Sequence, residues 1–307
     1  MRRCFFFAAW TMLSLLLACG QEAAQTDTTD DTIHIVATTS QIGDIAKNVG
    51  GEHAEVNTLM GPGVDPHLYQ ATQQDMNTLS EADIIFYNGH HLEGNLQEIF
   101  HEMSNTTPVY AVAENTPRDL LLSEENSDAV DPHLWFDPNR WKYAVEAVQD
   151  GLVALDANNK DAYAENTQEY IEMLEELDTY AKEQLAAVSP ESRVLVTAHD
   201  AFGYFGDAYD FDVEGLQGLS TDAEYSVRDV NHLVRLLTNR NIKAVFVESS
   251  VSERAVNAVI EGARKEGHEV EIGGELYSDA MGEEGTDEGT YEGMFISNID
   301  TIVSSLQ

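Results

Sequence analysis

The sequence predicts an α/β fold in two lobes, each built on a central, mostly parallel sheet, with one long backbone helix joining them. Three observations carry this expectation. Short apolar runs of strand length alternate with amphipathic stretches of helix length on both sides of the chain's middle, the rhythm of βαβ units. Between them Tyr163, Thr167, Tyr170, Leu174, Leu177, Ala181, Leu185 and Val188 recur every three or four residues with acids in between. That spacing gives one apolar helix face of about seven turns, roughly 40 Å long. Such a helix is too long for one small domain, and 307 residues are enough for two domains that each bury a core. The same stripe would also suit an ordinary surface helix or a coiled-coil dimer face.

At the N-terminus Arg2 and Arg3 precede an apolar run from Cys4 to Ala18, broken only by Thr11 and Ser14. This is the layout of a secretory signal, and it falls short of the roughly 20 apolar residues that span a bilayer. Leu16-Leu17-Ala18-Cys19-Gly20 resembles the lipobox of bacterial lipoproteins, which implies a signal peptide over 1–18 and a lipid on Cys19. Residues 19–32 then form a polar, acidic tether. In the first lobe, 33–158, strands are expected at 33–38, 83–87 and 109–112 and helices at 41–49, 73–82 and 92–103, with 56–60 leading into a glycine-proline turn and a polar insertion over 114–130. The joining helix takes 159–189. In the second lobe, 190–307, strands are expected at 194–197, 243–247 and 270–272, and helices at 201–209, 227–237, 253–266 and 294–306.

Fifty-five Asp and Glu stand against 16 Lys and Arg, for a formal net charge of −39. That sign excludes nucleic acid and anionic membrane surfaces as partners and leaves the lipid as the only membrane attachment. The acids are dispersed and only 6 of the basic residues are Lys, so the charge reads as a solvated coat of the kind adapted to high salt. Of the two cysteines, Cys4 leaves with the signal and Cys19 carries lipid, so the folded part holds no disulfide and no thiolate ligand.

The most unusual word is Asp65-Pro66-His67-Leu68, which returns as Asp131-Pro132-His133-Leu134. Proline fixes its own φ and keeps the preceding Asp out of helical geometry, so each copy is a rigid extended turn that aims an imidazole in one direction. A third histidine, His199, follows the apolar run 194–198, and Asp279 follows the glycine pair at 273–274. Together these point to one metal site assembled from four distant segments. His90 and His91 are candidates for a secondary site, although neighbouring side chains in an extended chain point apart. Glu248, at the end of a strand, could orient a ligand imidazole or form a structural ion pair. His34, His53, His101, His232 and His268 read as packing or surface residues.

In combination and order, Gly63-Val64-Asp65-Pro66-His67-Leu68-Tyr69, Asp131-Pro132-His133-Leu134-Trp135, Thr197-Ala198-His199-Asp200-Ala201-Phe202-Gly203-Tyr204-Phe205, Gly215-Leu216-Gln217-Gly218 with Ser220, and Leu276-Tyr277-Ser278-Asp279 carry a resemblance. The chain resembles the metal-specific solute-binding lipoproteins of bacterial ABC importers, the TroA-like zinc and manganese group, over essentially its whole mature length. The resemblance implies a metal in the interlobe cleft, with His67 and His133 as ligands from the first lobe and His199 and Asp279 from the second. Three imidazoles and a carboxylate suit Zn²⁺, whereas Mn²⁺ prefers more oxygen. Many manganese importers of the group have glutamate where His199 stands, which tilts the metal toward zinc. The missing histidine-rich loop of many zinc members tilts it back.

The expected function is therefore capture of a divalent metal, zinc or manganese, by an exported, lipid-anchored monomer facing the periplasm or cell exterior, and its delivery to an ABC permease. A metal-stabilised surface adhesin and a zinc hydrolase are the alternatives; the chain carries neither His-Glu-x-x-His nor Gly-x-Ser-x-Gly. Because ligand imidazoles must be neutral, affinity should fall below about pH 6 to 6.5. The acidic coat makes its own prediction. Self-repulsion is screened near 1 M salt, where the Debye length is about 3 Å. The protein should lose stability in low salt, and a melting temperature unchanged from dilute buffer to molar salt would contradict this.

Overall fold

A computed structural model describes residues 32–123 and 129–307. The expected signal peptide, Cys19 and all of the tether except Thr32 lie outside them. In the first lobe β1 (Ile33–Ala37), β2 (Ala54–Thr58), β3 (Ile84–Tyr87) and β4 (Val109–Ala111) form an all-parallel sheet in the order β2-β1-β3-β4. Alternation along β1 and β3 sends Ile35, Ile84 and Phe86 to one face and Val36 and Ile85 to the other. Both faces are covered, as parallel sheets require. Leu79 of α2 (Gln73–Ser80) and Phe100 of α3 (Gln97–Met103) pack on the Val36 side, and α1 (Ser40–Gly50) and α4 (Pro138–Leu155) close the other.

The second lobe repeats the plan. β5 (Val194–His199) pairs in parallel with β6 (Asp212–Gln217), and β7 (Ala244–Glu248) with β8 (Glu271–Leu276). The two pairs are separate two-stranded sheets, and β5 lies beside β7 where they meet. Val194, Val196, Val245 and Val247 face α7 (Val227–Arg240) and α8 (Arg254–Lys265), while Leu195 and Phe246 face the core shared with the first lobe. A short α6 (Gly203–Tyr209) lies between β5 and β6.

The long helix is α5 (Lys160–Leu185), 26 residues. Its buried set is Tyr163, Thr167, Tyr170, Leu174, Leu177, Ala181 and Leu185, the whole predicted stripe within the helix, and Val188 is buried just past its end. The stripe is covered from within the chain by α1 and α4 of the first lobe and by α9 (Tyr291–Leu306) of the second, so it is not a free dimer face. Tyr170 donates to Asp44 at 2.7 Å and Tyr180 to Asp300 at 2.6 Å, which fastens the helix to both sides.

Several elements depart from expectation. α4 is an addition: Asp137 accepts the Asn139 N–H at 2.9 Å, Pro138 occupies the first helical position, and Trp141, Ala144, Val145, Val148 and Leu152 form its buried face. β6 is another, a half-exposed edge strand with no apolar run to announce it. Helix 92–103 begins late, at Gln97 after a 3₁₀ turn at Gly94–Leu96. The cause is Glu93, whose buried carboxylate accepts from Thr38 Oγ1 (2.6 Å), Asn88 N (2.7 Å) and Gly89 N (3.3 Å) and gathers 88–93 into a loop. His90 and His91 sit there at φ +48° and +64°, which no helix tolerates. Among the described residues no helix is long and apolar enough to cross a membrane.

If α5 owes its order to this internal burial, Leu174→Ala should cost about 2–5 kcal/mol. Urea unfolding of the metal-free protein checks this, with a midpoint that does not depend on protein concentration. A concentration-dependent midpoint would instead place the stripe at an interface between chains.

Candidate metal centre

The two Asp-Pro-His turns share one device. In each, the Asp Oδ1 accepts the backbone N–H of the His two residues on, at 2.9 Å, with the proline between them fixing the loop. The first turn follows β2; the second leads through a 3₁₀ turn at Leu134–Phe136 into the capped start of α4. In the second copy Asp131 Oδ1 also lies 2.7 Å from His133 Nδ1, which sets the proton on Nδ1 and leaves Nε2 as the outward-facing donor atom. His199 ends β5 and is held from the neighbouring strand. Glu248, the last residue of β7, accepts its backbone N–H at 2.9 Å and lies 2.6 Å from its Nδ1. Gly215 of β6 is required beside it, because a Cβ there would lie 2.3 Å from Asp200 N. Asp279 stands in the loop after β8.

These four residues, distant in sequence, meet. The Nε2 atoms of His67, His133 and His199 lie 3.7, 3.5 and 3.3 Å from the Asp279 carboxylate. One potential ligand atom from each of the four lies within 4.8 Å of the others. All four side chains are at most 3% exposed. The three Nε2 atoms and both Asp279 oxygens are buried without a hydrogen-bond partner. A buried carboxylate with only imidazole nitrogens at 3.3–3.7 Å to set against its charge is costly, and a cation among them would take up that charge more fully. Donors about 2.0–2.1 Å from a tetrahedral zinc stand about 3.3–3.4 Å apart, close to the observed carboxylate–imidazole separations. Oδ1 faces His133 while Oδ2 faces His67 and His199, so Asp279 can supply one oxygen or two.

The electrostatics differ from ring to ring. Burial pushes His67 down to about 3, so it is neutral at physiological pH. Burial also opposes charge on His199, but the Glu248 and Asp279 carboxylates outweigh it and raise that imidazole well above its ordinary value. For Asp279 burial favours the acid form, yet the three imidazoles, His199 foremost, hold it well below the usual carboxylate range. Beside the centre Asp200 is pushed up to about 6, by burial first and by the Asp131 charge second.

Of the other expectations, Glu248 takes the orienting position at His199. His90 and His91 do not converge: His90 Nε2 lies 3.3 Å from Ala113 O, whereas His91 Nδ1 lies 2.8 Å from Gln97 Nε2. His268 is buried, its Nε2 2.6 Å from Ile242 O, and His53 meets Tyr163 edge-on. His34 and His232 are exposed beside Glu55 and Glu214. Sequence reasoning passed over the orienting part of Asp131, although its place two residues before His133, in a proline-locked turn, was the available signal.

Comparison with known proteins agrees with this architecture. A family model described as zinc-uptake complex component A, periplasmic, matches residues 35–305. The manganese-binding lipoprotein MntA of Bacillus subtilis is 50% identical over 292 residues, 95% of each chain. The zinc-binding protein TroA of Treponema pallidum is 45% identical over 272 residues, 89% of this chain and 88% of that one. The solved structure of that periplasmic zinc-binding protein superposes with a TM-score of 0.87 over 90% of this chain and 99% of its own. With the match running from β1 into α9 and two parallel-sheet lobes meeting around the buried histidines, the chain belongs to the family of periplasmic zinc-uptake component A proteins.

Proposed function

We propose that His67, His133, His199 and Asp279 coordinate one divalent transition ion, which the protein captures outside the cytoplasm and delivers to an ABC permease. The observation that carries this reading is the convergence of five buried, unpartnered donor atoms from four segments of two lobes. The family is one of non-catalytic solute-binding transport components, and the nearby carboxylates Asp131 and Glu248 are already engaged in holding imidazoles. In this reading residues 33–158 and 190–307 are the lobes, 159–189 the joining helix, 19–32 the tether, and Cys19 the lipid-bearing residue of a monomer.

Three imidazoles favour zinc. A second oxygen from Asp279 would move the set toward what manganese accepts, and relatives at 50% and 45% identity are named for manganese and for zinc respectively. Zinc is the proposed cargo and manganese the second. Metal entering the centre neutralises Asp279, and both lobes must contribute for any ion to be fully ligated. Binding therefore favours the closed arrangement, which the permease would read.

Two outcomes follow. His133→Ala removes a ligand and should weaken zinc binding at least a hundredfold in a competition titration, while metal binding equal to the parent's would remove His133 from the centre. The pH dependence has a definite sign. A ligand must be deprotonated to bind, and His199 is the ring whose raised pKa keeps a proton on it in the metal-free protein. Zinc uptake at pH 7 should release about one proton, and affinity should fall about tenfold per pH unit through the acid range. His67, already neutral, adds nothing in that window. Calorimetry in buffers of different ionisation enthalpy checks this; no proton release, with affinity flat from pH 7.5 to 5, would contradict it.

A further inference from the structure

The two Asp-Pro-His turns are identical in sequence but are not held alike. Asp131 spends Oδ1 on both the backbone and the ring of His133, so that the turn orients its own imidazole. Asp65 holds only the backbone of His67, and its second oxygen accepts Thr221 Oγ1 from the opposite lobe at 2.6 Å. Thr221 is buried, 7% exposed, in the loop between β6 and α7. That loop is itself pinned. Gln217 Nε2 donates to Thr221 O at 3.2 Å and to Ala223 O at 3.1 Å, and Gln217 sits in register with His199 at the end of the β5–β6 ladder. An unbroken series of contacts thus runs from the strand that carries His199, through Gln217 and Thr221, to the carboxylate that shapes the His67 turn.

We propose that Thr221 is a positioning residue of the metal centre, a cross-cleft latch whose hydroxyl, acting through Asp65, holds the His67 turn against the second lobe and slows release of the bound metal. This rests on the metal-centre reading above. Thr221 touches no ligand atom; its effect passes through the one ligand turn that lacks an internal brace for its ring. A hydrogen bond to the half-buried Asp65 carboxylate is of the charge-assisted kind, and partners one step removed from a ligand commonly change metal affinity ten- to a hundredfold.

The test is zinc release from the loaded full-length protein into excess chelator, followed in molar salt, for the parent, Thr221→Val, Thr221→Ser and Asp65→Asn. Thr221→Val keeps the shape without the hydroxyl and should release zinc about ten- to a hundredfold faster. Thr221→Ser restores the donor and should stay close to the parent, a rescue that a packing role would not give. Asp65→Asn keeps an oxygen for the His67 N–H and turns its amide nitrogen to Thr221, so the bond loses its charge and reverses its direction. It should release zinc faster than the parent and no faster than Thr221→Val, and the double variant should be no faster than Thr221→Val alone. Release at the parent's rate in Thr221→Val, equal loss in Thr221→Ser, or additive effects in the double variant would each overturn the latch while leaving the centre in place. A parent protein that holds no zinc would instead overturn the metal-centre reading, and the latch with it.

Discussion

A carboxylate fully removed from water, with no hydrogen-bond donor on either oxygen and three imidazole nitrogens 3.3 to 3.7 Å away, is the constraint around which this molecule is arranged. A protonated His199 offsets part of the charge, and a divalent cation at the same point would offset it more completely while using all three nitrogens. The fold brings the donors there for a topological reason. In parallel sheets with helical crossovers, the loops that leave the strands gather at one edge. His67 follows β2, His199 ends β5, and Asp279 follows β8, so parallel strands of the two lobes deliver three of the four converging side chains at their carboxyl ends. His133 comes from the lead into α4, anchored by the Asp137 cap.

The joint between the lobes is polar and specific as well as apolar. Ser278, the residue before Asp279, offers its carbonyl to Trp135 Nε1 at 3.0 Å and to Gln41 Nε2 at 3.3 Å, both from the first lobe. Tyr291 at the start of α9 donates to Trp135 O at 2.6 Å, and Tyr204 of α6 donates to Asp131 O at 2.9 Å. Gly203 approaches Asp131 so closely that a Cβ would lie 2.6 Å from its Oδ2. Asp279, through Ser278, and Asp131, which braces His133, are therefore each tied to the other lobe. Geometry at the centre and registry of the lobes are thus one property.

Much of this was legible in the sequence because the relevant residues are chemically rare and locally determined. A proline between Asp and His dictates a turn wherever it occurs, and the twofold repeat made His67 and His133 stand out. The α5 stripe was readable to the residue because a helix face is periodic in sequence. The exposed edges were less readable: β6 and the later part of β8, from Gly273, carry too few apolar residues to form a run, and their strands pair with β5 and β7. α4 was readable from Asp137-Pro138 and its apolar spacing, but the reading passed it by. The difference between Asp65 and Asp131 could not have been foreseen, since it depends on a contact with Thr221, 156 residues away, that no local pattern encodes.

The most direct test of the account is X-ray absorption at the zinc edge of the loaded full-length protein. The account predicts one zinc per chain, ringed by three imidazole nitrogens at about 2.0–2.1 Å and one or two carboxylate oxygens at about 2.0–2.2 Å, with no sulfur. A shell lacking imidazole, a shell containing sulfur, or an imidazole signal that survives replacement of His67, His133 and His199 together would contradict it.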